Sequence, residues 1–459
     1  DVLEMRGGEV NSFPDGVALP ESTEQVRELL EYAKQNDIAV IPYGGGTSVV
    51  GHVNPTACEQ GVLTVDMSSM NKLIALDRES QIATFGAGAA GPLVEEQLQR
   101  EGYTLGHFPQ SWELSTVGGW VASRSSGQQS LRYGRIEQIF AGGTMETPAG
   151  TLEIPTIPAS SAGPDLREMV MGSEGRMGII TEVKVRVTAL PEQESFGVFF
   201  FPSWSAGRAA ARELAQQKVQ LSMVRVSNEM ETMTLLMSGD PVAVAELERR
   251  LAEVGVASGK VMMTYGVTGS AAQCRSAGEI AQEICSHHGA VDGGANLGEN
   301  WAHGRFSAPY LREALLMAGY AVDTMETAVD WVKVDASVAA IEGAIRDAAT
   351  ADGEQVHVYT HLSHVYSQGC SLYTTYVFRC AEDYRETLQR WKRIKTAGAK
   401  MIVACGGTIS HQHGVGEDHR DYIAAEKGPL GVAAIRGMCH FFDPDARMNP
   451  GKLLPDDDA

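Results

Sequence analysis

Pro42-Tyr43-Gly44-Gly45-Gly46-Thr47-Ser48 follows directly on Ile38-Ala39-Val40-Ile41, an apolar run with the β-branched residues of a short buried strand. Three successive glycines leave bare backbone N–H groups, and Thr47 and Ser48 add hydroxyl donors. Such a nest can wrap a pyrophosphate without any lysine. Upstream, Ser22-Thr23-Glu24-Gln25 reads as a capping box, and Val26, Leu29, Leu30 and Ala33 follow at helical spacing, which predicts an amphipathic helix to about Gln35. Downstream, 62–66 and 82–85 read as strands, and 92–101 as a helix opened by Pro92 and closed by Gly102. The stretch 178–187 alternates apolar and polar residues, as a half-buried strand does.

A second glycine pattern competes with the first. Gly86-Ala87-Gly88-Ala89-Ala90-Gly91 matches G-x-G-x-x-G between a strand and a helix, the local context of a dinucleotide fingerprint. No clear strand ending in Asp or Glu follows about 20 residues later, so a tight strand-to-helix turn is the better reading. The glycine nest, by contrast, has company. Pro109-Gln110-Ser111-Trp112-Glu113-Leu114-Ser115-Thr116-Val117-Gly118-Gly119-Trp120 supplies another loop of small donors, continued by Ser123 and Ser125. Gly172-Ser173-Glu174-Gly175-Arg176-Met177-Gly178-Ile179-Ile180 supplies a third.

Beyond Pro191 the pattern changes. Strands at 197–201, 260–266 and 371–378 alternate with amphipathic helices at 206–217 and 241–254, a second α+β domain. From Met401 short helices are expected between Gly and His clusters, and Asp456-Asp457-Asp458 reads as a solvated tail. The 459 residues are about three times the ~150 of one domain, so two or three folded units are expected. A net charge of −21 repels phosphate backbones and argues against nucleic acid. No apolar run approaches the ~18 residues of a membrane span; Phe199-Phe200-Phe201 is only a short cluster. Seven scattered cysteines, Cys58 among them, contain no C-x2-C pair, which suits a reducing compartment rather than a zinc ribbon or disulfide scaffold. Asp1 stands where an initiator methionine would, which leaves the true start and any leader unread.

The three glycine-bearing segments, in this order, resemble the FAD-binding domain of the vanillyl-alcohol oxidase and p-cresol methylhydroxylase superfamily. The resemblance implies an α+β fold: an FAD-binding domain (1–190), a cap or substrate domain (191–400), and a helical C-terminal segment (401–459) returning to the flavin. It implies that FAD lies against Pro42, Tyr43, Gly44, Gly45, Gly46, Thr47 and Ser48. The second loop would contribute Pro109, Gln110, Ser111, Ser115, Thr116, Gly119, Ser123 and Ser125, and the third Glu174, Gly178, Ile179 and Ile180. Some members tether FAD through a histidine in the glycine loop. That position falls within Gly45-Gly46-Thr47 here, and His52 lies beyond it, so noncovalent FAD is implied.

The second half carries the titratable clusters: His361-Leu362-Ser363-His364, then Tyr373 and Tyr376, and Ser410-His411-Gln412-His413-Gly414-Val415-Gly416. Tyr310-Leu311-Arg312 and Arg225 are candidate anion binders. His361, His364, His411 and His413 are enough ligands for a metal. The D-2-hydroxy-acid dehydrogenases of the superfamily, some of which hold one, would place their ligands on His364, Tyr373 and Gln412. Two of those three are a phenol and an amide here, so no metal is expected. The chain is more similar to the alkyldihydroxyacetonephosphate synthase family, whose Phe-Gly-Gly-Gly-Thr-Ser, Glu-Phe-Ser-Thr-Val-Gly-Gly-Trp and Gly-Ser-Leu-Ser-His-His-His-Gly-Val-Gly answer to 43–48, 113–120 and 407–416. That resemblance runs over nearly the whole chain.

Carried over by position, Tyr373 matches the family's proton donor and acceptor, Arg312 its substrate-anion arginine, and Arg225 another arginine needed for activity. His411, Gln412 and His413 match its triple histidine. The family's lysine after His-Gly-Val-Gly is Glu417 here, an acidic group where a phosphate is expected. The implied reaction removes a proton next to the ketone of acyl-dihydroxyacetone phosphate, captures the carbon on flavin N5 as the fatty acid leaves, and displaces the flavin with a fatty alcohol. An anion clamp at Arg312 and a tyrosine whose pKa is lowered from ~10 by neighbouring imidazolium, His411 and His413 beside Tyr373, are expected. The alternative is an FAD-dependent D-2-hydroxy-acid dehydrogenase or oxidase. A lipid-phosphate or other small-molecule substrate, a homodimer, and a cytoplasmic location with peripheral membrane contact complete the expectations.

Overall fold

The computed structural model describes residues 2–10, 12–56, 60–351 and 353–456. Asp1, Cys58 and the Asp457-Asp458 part of the acidic end lie outside the described residues. The chain divides into two compact units. One comprises Gly8–Gly127, Tyr133–Leu190 and Gln412–Ala459, and the other Asp1–Gly7, Gln128–Arg132 and Pro191–His411. The second edge falls between His411 and Gln412, so 401–411 goes with the larger sheet and not with a separate C-terminal segment. Gln128–Arg132 also joins that unit, where the Gln129 amide donates to Glu194 at 2.8 Å.

The first unit holds two sheets. Gly16–Ala18, Gly61–Asp66 and Ile38–Tyr43 form a parallel sheet with 61–66 in the middle. Five antiparallel strands form the other, in the order Leu73–Asp77, Ile82–Gly86, Ile179–Arg186, Phe140–Thr147, Gly150–Ile154. Ser22 caps the helix Thr23–Gln35 with its Oγ accepting from Gln25 N–H, while the Gln25 side chain accepts from Glu21 N–H, one residue short of the reciprocal capping box that the sequence suggests. Its buried Val26, Leu30 and Ala33 pack with Val40, Val65 and Met448. Within Ile423–Phe442 two helices meet at a kink, where Gly428 takes φ +66° ahead of Pro429, which cannot continue the hydrogen-bond ladder. Ile423, Cys439 and Phe442 join Phe85, Trp120 and Phe140 in the main core of this unit. Gly88 answers the competing motif: a Cβ there would sit 1.7 Å from the Met67 carbonyl oxygen, so the glycine permits a close backbone crossing.

The second unit is a seven-stranded antiparallel sheet in the order Val291–Asp292, Gln193–Phe201, Val261–Gly269, Met223–Ser227, Val356–Val365, Gly369–Arg379, Tyr320–Asp330. Phe199, Phe200 and Phe201 are all fully buried, so this strand is covered on both faces. Each such side chain removed from water contributes ~1.5–3 kcal/mol. Ser203 caps the helix Trp204–Gln216, which buries Ala210, Ala211 and Leu214. Helices Ala271–His287, Val334–Thr350 and Tyr384–Ala404 complete the unit's longer elements. Among the described residues no helix is long and apolar enough to cross a membrane, and no cysteine is in a disulfide.

Candidate functional site

In the first unit the three glycine loops meet. A Cβ on Gly44 would lie 2.3 Å from Thr116 Oγ1, and one on Gly45 1.8 Å from the Leu114 carbonyl oxygen, so only bare backbone lets 42–48 lie against 114–116. Gly46 has φ +63° and turns beneath the Tyr43 ring. The third loop closes on the first, with Gly175 against Pro42. Among the described residues the N–H groups of Gly44, Gly45, Gly46 and Thr47 donate to no protein acceptor. Four backbone donors in one part-exposed turn fit a diphosphate.

The side chains around this nest make hydrogen bonds of their own within the unit. Ser48 Oγ braces the loop, accepting from the N–H groups of Val50 and His52 and lying 3.0 Å from His52 Nδ1. Ser115 Oγ accepts from the indole N–H of Trp120 at 2.7 Å, and Thr116 caps the helix Val117–Ser123. Ser123 Oγ bonds the Gly119 carbonyl, and Ser125 Oγ is 3.1 Å from the ring of His107, whose burial pushes its pKa down to about 3. Gly178 meets the Glu146 carbonyl oxygen and Ile179 is core. Pro109, Gln110, Ser111 and Ile180 are buried or part-buried beside these groups.

Glu174, read as a flavin contact, is a staple. It takes φ +53°, and its buried carboxylate accepts the N–H groups of Val415 at 2.6 Å and Gly416 at 2.8 Å, with His52 Nε2 at 3.0 Å. Asn449 closes the knot by donating to the carbonyl oxygens of Glu174 and His52. The His-x-His-Gly-Val-Gly loop is thereby tied to the glycine loop. Gly414, at φ +79°, would otherwise meet the His52 ring. Gln412 and His413 are part-buried. Glu417 is not a loose charge either: it pairs at 3.3 Å with Lys452, whose side chain is fully buried and whose pKa burial pulls down.

In the second unit side chains make the site. Glu326, Tyr373 and His361 lie directly opposite one another on three adjacent strands, and therefore on one face of the sheet. His361 and His364 are three residues apart, which in a regular strand puts them on opposite faces. A bulge between Leu362 and Val365 sets Ser363 and His364 together against Ser371 and restores His364 to the site. His411 Nδ1 then lies 3.2 Å from Glu326, its ring centre 5.0 Å from that of His364, and its Nε2 2.6 Å from the Tyr366 hydroxyl. Ser130 holds His364 Nδ1 at 3.1 Å, and Ser363 donates to Glu326 at 2.7 Å.

Tyr373 stacks on His361, ring centres 4.9 Å apart, and donates to Thr324 Oγ1. The expected depression of its pKa is not found. Burial, and then the charges of Glu326 and Asp323, push the phenol well up, so it stays protonated. Arg225 binds the buried Glu231 at 2.6 Å, with His361 Nδ1 3.0 Å from the same oxygen. Burial alone would raise Glu231, but the His361 ring and the Arg225 guanidinium outweigh it and hold the carboxyl at about 2. Burial and then Arg225 keep His361 below its ordinary range. One arm of Arg225 is therefore engaged by a carboxylate. Arg312 is exposed on the helix Ala308–Met317, and Tyr376 is core, bonded to Asp323. Sequence reading missed Glu326, Glu231 and Tyr366; the first two look like ordinary charges, and Tyr366 lies in a hairpin turn. Glu326, His364 and His411 offer ligand atoms within 4.8 Å of one another, close enough for a cation, on a set other than the one weighed from sequence.

Over residues 190–453 the chain matches the family described as FAD linked oxidases, C-terminal domain, and over 14–154 that described as FAD binding domain. It is 31% identical to the alkyldihydroxyacetonephosphate synthase of Dictyostelium discoideum, covering 99% of this chain and 76% of that one. A solved structure of an alkyldihydroxyacetonephosphate synthase superposes with a TM-score of 0.83 at 28% identity, covering 98% of this chain and 78% of that one. The D-lactate dehydrogenase (cytochrome), mitochondrial, of Arabidopsis thaliana is 25% identical over 99% of this chain and 77% of its own.

Proposed function

The chain belongs to the alkyldihydroxyacetonephosphate synthase family of FAD-linked oxidases, and we propose that it exchanges the acyl group of acyl-dihydroxyacetone phosphate for a fatty alcohol. The cofactor is FAD. Its diphosphate would rest on the free N–H groups of 44–47, without a covalent tether, since His52 is already held by Ser48 and Glu174. Bound flavin supplies an electron-poor ring that stabilises the carbon released from the substrate's C–H bond.

The rest is the work of this chain. The observation that carries the reading is the buried face on which Glu326, Tyr373, His361 and His411 converge, a set of groups that move protons. The proton leaving the carbon beside the ketone ends on His411, and Glu326 steadies the imidazolium that results. Tyr373, kept protonated by burial, serves as a donor, returning a proton or hydrogen-bonding the substrate oxygen. Gln412 and His413 line the same loop, with His413 assisting the leaving carboxylate. Arg312, exposed and able to reach by its length, binds the phosphate, and Arg225 fixes His361 through Glu231.

Anaerobic incubation of the yellow protein with acyl-dihydroxyacetone phosphate and hexadecanol tests this. Ether product without net flavin bleaching is the expected result. Bleaching by a D-2-hydroxy acid, with no ether formed, would replace the reading with a dehydrogenase. The observation that favours that second reading is the clustering of Glu326, His364 and His411, which a divalent metal would fit.

A further inference from the structure

We infer that Glu326, His411 and Tyr366 form a proton relay, in which the Tyr366 hydroxyl takes the proton from the carbon next to the substrate ketone as it passes its own to His411. This deepens the reaction proposed above and rests on it. His411 Nε2 is within hydrogen-bonding distance of the Tyr366 oxygen at 2.6 Å, and its Nδ1 lies at ion-pair distance, 3.2 Å, from the Glu326 carboxylate. A ring held in that way carries its proton on Nδ1 toward the carboxylate and accepts at Nε2 from the phenol. Glu326 and His411 are closed off, with side chains 0% and 2% exposed, so neither reaches a substrate carbon directly. Tyr366 is part-buried, in the turn between the strands Val356–Val365 and Gly369–Arg379, and is the member with an open side. Its backbone is fixed on both sides, the N–H donating to the Gly369 carbonyl at 2.8 Å and the carbonyl accepting from the Trp331 indole at 3.0 Å.

The step balances. The substrate C–H bond breaks and its proton forms an O–H bond with Tyr366. The phenol's original proton moves to His411 Nε2, and the imidazolium is stabilised by ionised Glu326. The electron pair left on carbon delocalises into the adjacent ketone as an enolate, and FAD held by the first unit's loops would supply the electron-poor ring that this carbon then meets. His364, its ring centre 5.0 Å away, is a further titratable group facing His411. Glu326 is a positioning residue, acting through His411. Tyr373 differs: it has a ring neighbour in His361 and a threonine on its hydroxyl, and burial keeps it a donor, so the accepting half of the proton traffic falls to Tyr366.

The test uses the holoenzyme in D2O with acyl-dihydroxyacetone phosphate and no alcohol, reading deuterium at the carbon beside the ketone. Wild-type protein is expected to exchange, and Tyr366→Phe to slow exchange by about 10²-fold or more at unchanged FAD content and thermal midpoint. Glu326→Gln should slow exchange with little change in KM and move the acid limb of its pH profile downward, because the imidazole loses basicity. Glu326→Asp should recover part of the rate. Exchange in Tyr366→Phe within about threefold of wild type would overturn the relay, as would an acid limb that Glu326→Gln leaves in place. A stoichiometric divalent metal that is lost in Glu326→Gln would also overturn it, making the cluster a metal centre. If wild-type protein itself exchanges nothing, the proposed reaction fails and takes the relay with it. Failure of the relay alone shows only in the variants.

Discussion

The two candidate sites are made of different material. In the first unit the binding surface is backbone: four N–H groups on 44–47 that donate to no protein acceptor among the described residues, in loops where Cβ atoms would collide with Thr116 and Leu114. The hydroxyls and carboxylate around that nest, from Ser48, Ser115, Thr116, Ser125 and Glu174, are taken up in holding loops to one another. In the second unit the backbone is ordinary antiparallel ladder, and the site is the row of side chains that strand register sets on one face. A backbone site fails by steric intrusion and leaves the chemistry of its neighbours intact. A side-chain site fails by electrostatics, one proton or charge at a time. Substitutions that respect or violate this division test it.

The largest effect is expected from Gly45→Val. Its Cβ would sit 1.8 Å from a backbone oxygen that no rotamer change can move. A cost of about 3 kcal/mol or more, a fall of ~10 °C in thermal midpoint, and loss of the 450 nm flavin band are expected. Retention of full FAD content would show that the glycine is ornamental to the nest.

Arg225→Met probes the electrostatic side. With its carboxyl held at about 2 against an ordinary 4.5, Glu231 contributes stability that is fully present above 4.5 and is lost as pH falls toward 2. The shift corresponds to ~3 kcal/mol. The His361 ring supplies the larger part of that and stays in place, so the variant should be less stable than wild type at pH 7 by a part of that amount, with the gap closing as pH falls from 4.5 to 2. Denaturant titrations at pH 7 and pH 3 measure it; an equal gap at both would mean Arg225 acts by packing alone.

How much of this was legible in advance follows from the same division. Gly44-Gly45-Gly46 announces itself because bare N–H groups and left-handed turns require glycine in the sequence itself. The helices Thr23–Gln35 and Gly91–Arg100 and the strands at 38–43, 61–66 and 82–86 were likewise readable from caps and periodicity, with boundaries shifted by a residue or so, while the strand Leu73–Asp77 was not read. The internal partners of the hydroxyls were not: the rings of His52, Trp120 and His107 beside Ser48, Ser115 and Ser125 leave no mark in the sequence. The second site was half legible. His411 and Tyr373 stood out by resemblance, but Glu326 enters through cross-strand register, and His364 through a bulge that no spacing rule reveals. The expectation for Tyr373 missed because a neighbouring imidazole was counted and burial was not.

Glu174→Gln sits between the two kinds of site. The amide keeps the shape and removes the charge that receives Val415, Gly416 and His52. Hydrogen bonds to a buried charge contribute more than neutral ones, so a loss of about 2 kcal/mol is expected, with faster FAD release at unchanged absorbance of the bound form. A thermal midpoint within a degree of wild type would remove Glu174 as the staple.

The smallest effect separates a charge reversal from a change of substrate. Glu417 occupies the position where the resembled family carries lysine, and a lone acidic group there would repel a phosphate. Its partner Lys452 is fully buried, while Glu417 is 42% exposed, so the pair is asymmetric. Replacing Glu417 with lysine sets two cations against each other, one of which cannot reach water. Burial already pulls the Lys452 pKa down, and a second ammonium would push it further, releasing its proton nearer neutral pH. Glu417→Lys should therefore cost about 1 kcal/mol, and less as pH rises and Lys452 becomes neutral. Adding Lys452→Met should recover most of that loss. If Glu417→Lys instead leaves stability untouched and lowers KM for the phosphate substrate, the acidic residue was tuning the substrate site. The Lys452 pairing would then be incidental to it.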